Sequence, residues 1–503
     1  MLTLTGILEN ISPGICLSVL FILIICHGLY ISLLGPLSHI PGPLLGKFSS
    51  LWIVLQCRFA KRSESVLKQH KKHGKFVRIA PNHVSISTRE ALETIYGHNS
   101  GFAKGPFYED KSVEPVLFNT RDQRIHQRKK KYLSPAFSAK NLHEYEPYMT
   151  RTIGKFMACL NRQTAVSDQA QIDFNVYSNY LAFDVISDYS FGKSFGFLDK
   201  EEDYINLIAT IDARGEVLNA LGHLPQFIRP MMKYFLFDPF WPKGLRATSK
   251  LASIGKHAYY QRKDSEDSRK DLLSFLFKAK DPETKKPLTE QEIIAESISF
   301  IVGGSDTTST TMTNIVDIVS RLPNIKKQLQ LELDTAYPGR MSDNWVADSQ
   351  TVNQLPVLNA VVRETMRLKP TSSTGLERVV PAGGKIIAGK FINEGTLVSV
   401  PTLSIHHDSA IFAEPGKFEI SRWMNGSASE SLDSFYPFSL GPRACIGRNF
   451  AWMEILKTLA TLFKLFDIQR ACPVETQVRE GFFVKNSECQ VRITRRRGCE
   501  EIR

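Results

Sequence analysis

A chain of 503 residues with 43% hydrophobic and 23% charged side chains can bury a large core, and that balance excludes an intrinsically disordered protein. Length alone would suggest about three domains, yet no linker interrupts the sequence, so one large domain is expected. The 63 Lys and Arg against 51 Asp and Glu, a formal charge of +12, suit an anionic membrane surface or an acidic protein partner. No base-reading motif accompanies the charge, so nucleic acid is not expected as a partner.

Eight cysteines show no metal-ligand spacing, and Cys16 and Cys26 lie inside an apolar segment. Neither a zinc site nor a disulfide framework is indicated, and a reducing compartment is expected for the soluble part. The apolar segment, residues 15 to 34, is uncharged and about as long as a bilayer-spanning helix. It lacks a basic leader and a small-residue cleavage site, which favours an uncleaved anchor over a signal peptide. Glu9 precedes it, whereas Lys47, Arg58, Lys61 and Arg62 follow, so the bulk of the chain is expected on the cytosolic side. Asn10 would then be a luminal sequon; glycosylation there or at Asn425 is left open.

The next stretch, residues 35–45, is rich in proline and reads as a stiff, non-helical strut. Phe76 to Ile86 alternates and is β-branched, which predicts a hairpin turning near Pro81-Asn82. Arg121 to Ser138 begins as a basic helix in which His126 and Lys130 share a face, with Lys129 and Lys131 expected on the solvated side. From about Tyr148 to Lys280 the pattern predicts successive helices broken near Pro225, Pro230 and Pro242.

Ala295 to Leu322 reads as a long helix of small and apolar residues containing Gly303-Gly304-Ser305-Asp306-Thr307-Thr308. Adjacent glycines inside a helix cost about 1 kcal/mol each relative to alanine, so something other than helix stability keeps them there. They are expected to open a groove in the helix wall, and the hydroxyls and carboxylate after them can hold water. Further on, Glu364 and Arg367 are three apart and share a helix face.

Near the C-terminal end stands Phe438-x-x-Gly441-x-Arg443-x-Cys445-x-Gly447, followed by an amphipathic helical pattern from Asn449 to Phe466. A helix start offers free N-H groups and a positive dipole end, which favour a thiolate. Gly441 and Gly447 permit close approach of a flat ligand, Arg443 offers a fork of donors to a carboxylate, and Phe438 can pack against a ring. A haem iron with Cys445 as axial ligand fits all of them.

The same motif resembles the haem loop of the cytochrome P-450 monooxygenases. The resemblance implies haem b (iron protoporphyrin IX) with a cysteine thiolate ligand. The fold it implies is mainly α, a helical body with small β-sheets behind one N-terminal transmembrane helix. Residues 1–34 would be the anchor, 35–45 a proline-rich hinge and 46–503 the catalytic domain. It assigns His126, Lys130 and Arg378 to the haem propionates, with Lys130 standing where Arg is common. Asp306 and Thr307 become the acid-alcohol pair of oxygen activation. Glu364, Arg367 and Arg422 become a buried structural triad, with Ile420 standing where the family commonly has Pro. Pro370 to Gly375 would pass over the haem, and Arg479 to Phe483 would form a sheet loop that can touch substrate.

The implied partners are an NADPH-cytochrome P-450 reductase, with cytochrome b5 as an accessory, and a lipophilic small molecule. The implied location is the endoplasmic reticulum membrane. Phe118 to Asp122, Arg214 to Val217 and Arg479 to Phe482 are similar to the fungal benzoate 4-hydroxylase branch. A lipophilic secondary metabolite is expected as substrate, with a small aromatic acid as the alternative. A rearranging or dehydrating enzyme that does not use O2, and a non-catalytic haem protein, are the other classes; the Asp306-Thr307 pair argues against both. Cys445→Ala is expected to abolish the thiolate-type carbonyl absorption of the haem-loaded protein, and an unaltered spectrum would refute the ligand assignment.

Overall fold

The anchor pattern becomes helix α1, Pro13–Leu33, which at 21 residues is about 31 Å long. The computed structural model describes residues 13–109, 113–167, 169–424, 432–472 and 474–496, and Glu9, Asn10, Asn425 and Arg497 lie outside them. Several α1 side chains also fall outside the described set; among the described residues no helix is long and apolar enough to cross a membrane.

The proline-rich stretch after α1 is packed rather than free. Leu37 and Ile40 are buried, the Arg78 N-H donates to Pro41 O at 2.8 Å, and the Arg78 guanidinium donates to Ile31 O at 3.2 Å. The strut therefore lies against the first sheet. Its expected stiffness comes from that packing as well as from the prolines.

That sheet contains β1 (Phe76–Ala80) and β2 (His83–Ile86), antiparallel with Ala80 opposite His83, so the turn falls on Pro81-Asn82 as expected. β8 (Leu397–Ser399) pairs parallel to β2, and β5 (Arg378–Val379) and β3 (Ala103–Lys104) complete the order β1-β2-β8-β5-β3. Distant parts of the chain meet here. A second sheet orders β4 (Ala170–Asp173), β12 (Gln490–Arg495) and β9 (Phe466–Arg470). Two hairpins remain: β6 (Lys385–Ile387) with β7 (Lys390–Ile392), and β10 (Val478–Glu480) with β11 (Val484–Asn486).

The body is built from α2 (Gln123–Leu133), α3 (Ala139–Val166), α4 (Phe174–Phe191), α5 (Leu207–Leu221), α6 (Phe240–Lys263), α7 (Glu290–Arg321), α8 (Pro356–Leu368) and α9 (Arg448–Leu465). Pro225 and Pro230 fall between α5 and α6, as expected. Pro242 instead sits in the first turn of α6, where its missing N-H would have had no helical partner. α7 starts at a capping box between Thr289 and Glu292 and packs along α4. Ser178 and Thr313 hydroxyls lie 2.8 Å apart across that contact, and Ser309 donates to Asn179 at 3.1 Å.

Lys129 departs from its expected solvated position. It is buried, and its ammonium lies 3.1 Å from Glu296 Oε1 on α7, whereas Lys131 is exposed. A cation with one helical neighbour on each side reads as surface in sequence; only the apposition of α2 and α7 turns it inward.

Glu364 and Arg367 on α8 form a two-pronged pair, both bonds 2.8 Å, with neither side chain exposed. Arg422 reaches Glu364 at 3.3 Å, completing the expected triad. Trp423 Nε1 and the Glu419 N-H also donate to Glu364, each at 2.9 Å. Arg367 in turn donates to the carbonyls of His406, Pro415 and Lys417. Ile420 is buried in a short 3-10 turn that still delivers Arg422. Removing one partner of such a buried pair leaves the other uncompensated, at about 3–5 kcal/mol. Arg367→Ala should therefore lower the thermal midpoint sharply and give protein with little bound haem, measured by scanning calorimetry and haem absorbance.

Candidate functional site

One cavity of about 1940 Å3 occupies the space between α7 and the segment before α9. Phe438, Arg443, Cys445 and Gly447 line one wall, and Gly303, Gly304, Asp306 and Thr307 line another. Residues far apart in sequence thus face a common space. The Cys445 N-H donates to Phe438 O at 2.9 Å, closing the loop that carries the sulfur. The Phe438 ring sits 6.4 Å from the Trp452 ring, with the Arg448 guanidinium 5.8 Å from its centroid.

Cys445 is open to this cavity while the protein around it is dense. Burial pushes its thiol pKa up, against the lowering influence of the Gly447 N-H and Arg448. The helix end alone therefore does not make the thiolate expected from sequence; the charge of a bound metal would do so.

The glycines divide their work. Gly441 has φ +65, and a Cβ there would lie 2.0 Å from Tyr96 O, so it serves a tight turn against the helix Arg89–Tyr96. It is not on the cavity wall, which corrects its expected place beside the ligand. Gly447 does line the cavity. Gly303 faces open space, whereas a Cβ on Gly304 would meet Ile186 Cδ1 at 2.7 Å. Only Gly303 widens the groove; Gly304 lets α4 come close. Thr307 Oγ1 donates to Gly303 O at 3.0 Å, and Thr311 Oγ1 to Thr307 O at 2.8 Å.

A cluster of cations marks the far side. The Asp122 side chain caps α2 through the Ile125 N-H, and that helix brings His126 and Lys130 to the cavity. Lys130 donates to Pro442 O at 2.9 Å. Arg443 donates to Thr120 O and Arg121 O at 2.6 and 3.0 Å, and burial, helped by Arg378, lowers its pKa to about 10. Arg378, on β5, is buried over the Tyr96 ring at 5.0 Å. Burial lowers the His126 pKa to about 3, with Arg443, Lys104, Lys130 and Arg378 adding to the effect. At neutral pH His126 is therefore an uncharged donor and acceptor.

Lys104 on β3 belongs to the same cluster and was not singled out from the sequence, where a lone Lys before Gly105-Pro106 carries no signal. It is buried, donates to Phe118 O and lies 4.5 Å over the Tyr108 ring. Burial, then Arg378 and Arg443, pull its pKa well below the ordinary lysine value. No carboxylate is among the groups acting on His126 or Lys104. A wall of buried cations and neutral donors, offset by Asp122 acting on Arg443, suits a ligand that brings its own acidic groups. Haem, with two propionates on one edge and an iron able to meet Cys445, fits the residues present.

Asp306 has an unexpected partner. Lys485 on β11 lies 2.8 Å from Asp306 and 2.5 Å from Asp212 on α5. Burial raises the Asp306 pKa, Lys485 opposes that, and Asp212 adds to it. Among the described residues, His83, His223 and Glu377 form a further set of potential metal ligands within 4.8 Å of one another. Arg62 acts electrostatically on all three, so the buried carboxylate already faces a cation.

The cytochrome P450 family profile matches residues 41–492, and the chain belongs to the cytochrome P450 family. It is thus a haem-thiolate monooxygenase, an enzyme that receives electrons from a reductase and acts on lipophilic substrates. Its relatives include a benzoate 4-monooxygenase of Aspergillus niger, 38% identical over 489 residues that cover 92% of this chain and 93% of the relative. A cytochrome P450 monooxygenase of Penicillium roqueforti is 31% identical and covers 86% of this chain and 90% of its own. Another, from Botryotinia fuckeliana, is 30% identical over 86% of this chain and 81% of its own. The fold is that of a crystal structure of a cytochrome P450, with a TM-score of 0.75 at 21% identity, covering 91% of this chain and 99% of the other.

If Lys104 meets a haem carboxylate, Lys104→Met should speed haem loss about tenfold, equivalent to ~1.4 kcal/mol. Transfer of haem to excess apomyoglobin measures the rate. An unchanged rate would remove Lys104 from the cofactor wall.

Proposed function

We propose that Cys445 is the haem ligand, that Arg443, His126, Lys130, Arg378 and Lys104 receive the propionates, and that Asp306 and Thr307 deliver protons to oxygen. The observation that carries this reading is a single cavity faced by Cys445 from one side and by Gly303 and Thr307 from another, with a cluster of buried cations at its edge. Bound haem would supply O2 binding, electron transfer and oxygen insertion. The chain's own residues do the rest. Thr307 holds a hydroxyl over the cavity, Asp306 links it to a proton source, and the triad keeps the Cys445 loop in register.

The substrate class follows from size and lining. Drug-sized pockets run to roughly 1,000 Å3, and the cavity is about 1940 Å3 with walls rich in Phe, Leu and Ile. After space is taken by haem, room remains for a lipophilic molecule of several rings, of the kind made in fungal secondary metabolism. The second reading, a benzoate-type aromatic hydroxylase, is favoured by the 38% identity to the Aspergillus niger enzyme.

The anchor belongs to the same proposal. Uncharged α1 would span the endoplasmic reticulum membrane once and leave residues 46–503 as a cytosolic catalytic domain behind the 35–45 hinge. Phe227, Met231, Tyr234, Leu236 and Phe237 are exposed between α5 and α6, and Leu51 and Phe59 are exposed near the chain start. The Arg58–Asp238 ion pair, 2.8 Å, joins these two regions. The exposed apolar side chains of the two regions support lipid contact. The exposed Lys131 and Arg448 suit an acidic redox partner, here an NADPH-cytochrome P-450 reductase, with cytochrome b5 in second place.

Membranes carrying the protein and that reductase, given benzoate and a panel of terpenoid and polyketide precursors under labelled O2, test the reading by mass spectrometry. One labelled oxygen in a larger precursor is the expected result. Label in hydroxybenzoate would establish the second reading, and product without label would end the assignment of Asp306 and Thr307.

A further inference from the structure

The β10-β11 hairpin grips two helices at once. Arg479 pairs with Glu216, and Lys485 pairs with Asp212 at 2.5 Å. Asp212 and Glu216 are four apart on α5 and so face the hairpin together. On its other side the hairpin holds α7, through Lys485 to Asp306 at 2.8 Å and through Asn486, which donates to Asn314 at 2.9 Å. One ammonium therefore joins the helix over the oxygen site to the helix that walls the cavity. Side-chain exposure falls along this path, from 31% at Asp212 through 15% at Lys485 to 8% at Asp306.

We propose that Lys485 is a positioning residue for proton delivery, holding the Asp306 carboxyl group between solvent-reachable Asp212 and cavity-facing Thr307. The inference rests on the relay reading of Asp306 given above. The charged groups acting on Asp306 are Lys485 from the hairpin and Asp212 from α5. Burial by itself favours a neutral carboxyl, which could not accept the next proton. Asp212 pushes the same way; Lys485 opposes both and limits the net rise of the Asp306 pKa. Burial also works against the charge of Lys485, but its two carboxylate neighbours outweigh burial and keep its pKa above the ordinary value. Two carboxylates thus share one ammonium, and the surplus negative charge can take up a proton from the Asp212 side and release it toward Thr307. Because the pairing depends on the hairpin sitting on α5, displacement of that hairpin by a ligand would alter the charge state of the relay.

The test uses the haem-loaded full chain with Lys485→Met, Lys485→Arg, Asp212→Asn, Asp306→Asn and Thr307→Ala. Infrared difference titration, with Asp306→Asn as the reference, reads the Asp306 carboxyl directly. In Lys485→Met its pKa should rise, in Lys485→Arg it should return toward wild type, and in Asp212→Asn it should fall. The second measurement is how reductase-driven O2 consumption divides between peroxide, which takes two electrons and two protons from NADPH and solvent, and water, which takes four of each per O2. Lys485→Met should raise the peroxide-to-water ratio about tenfold, a modest part of what proton-transfer groups contribute, with the acidic limb of water formation moved to higher pH.

A wild-type titration and ratio in Lys485→Met would overturn the proposal. So would a Lys485→Arg protein that behaves like Lys485→Met, since that would make the role one of packing. If Thr307→Ala raises the ratio while Lys485→Met does not, the positioning role falls and the relay stands. If neither raises it, the relay reading falls as well. Thiolate-type carbonyl absorption in every variant reports the Cys445 seat independently.

Discussion

The buried carboxylate of Glu364 is the constraint on which the rest of the site depends. A carboxylate without exposure needs every lone pair met, and here Arg367, Arg422, Trp423 and the Glu419 N-H meet them. Satisfying Glu364 fixes the 406–423 segment against α8. His406 extends that order, its ring stacked on Phe435 at 5.6 Å and its Nε2 accepting from the Tyr436 N-H at 3.4 Å. Two residues later the loop that carries Cys445 begins. The sulfur's position is thus inherited from a charge pair with no chemical role of its own.

Around the cavity the chain separates two kinds of charge. The α2, β3 and β5 side collects His126, Lys130, Lys104, Arg378 and Arg443, with Asp122 acting on Arg443. The α7 side places Asp306 and Asp212 around one ammonium. In a low-dielectric interior each arrangement is costly by itself. The first is relieved by an acidic cofactor, whereas the second is internally balanced to within one charge that a proton can fill. The same physics makes each arrangement costly to bury without its counter-charge.

Much of this was legible in the chain. The hairpin at Pro81-Asn82 rests on local alternation and turn chemistry, α7 on a long apolar pattern, and the Cys445 loop on a spaced motif. Those features survive because they depend on neighbours within a few residues. Lys129 was misjudged, since local pattern cannot see that α2 lies on α7. Gly441 was assigned to ligand approach and Gly304 to opening a groove, yet their missing side chains make room for Tyr96 O and Ile186, contacts between segments hundreds of residues apart in one case and more than one hundred in the other. Trp423, Lys104 and Lys485 carried no local signal at all.

What the sequence by itself determined is the class of chemistry: a cysteine loop before a helix, an acid-alcohol pair after two glycines, and a family resemblance over most of the length. These are short-range patterns, and each residue's type already limits what it can do. Only the tertiary structure decided which buried cations converge, that the Cys445 thiol is raised by burial, and that Asp306 is tied through Lys485 to Asp212. The reason is that charge state inside a protein is set by desolvation and by groups a few ångströms away in space, and the chain order holds almost no record of either.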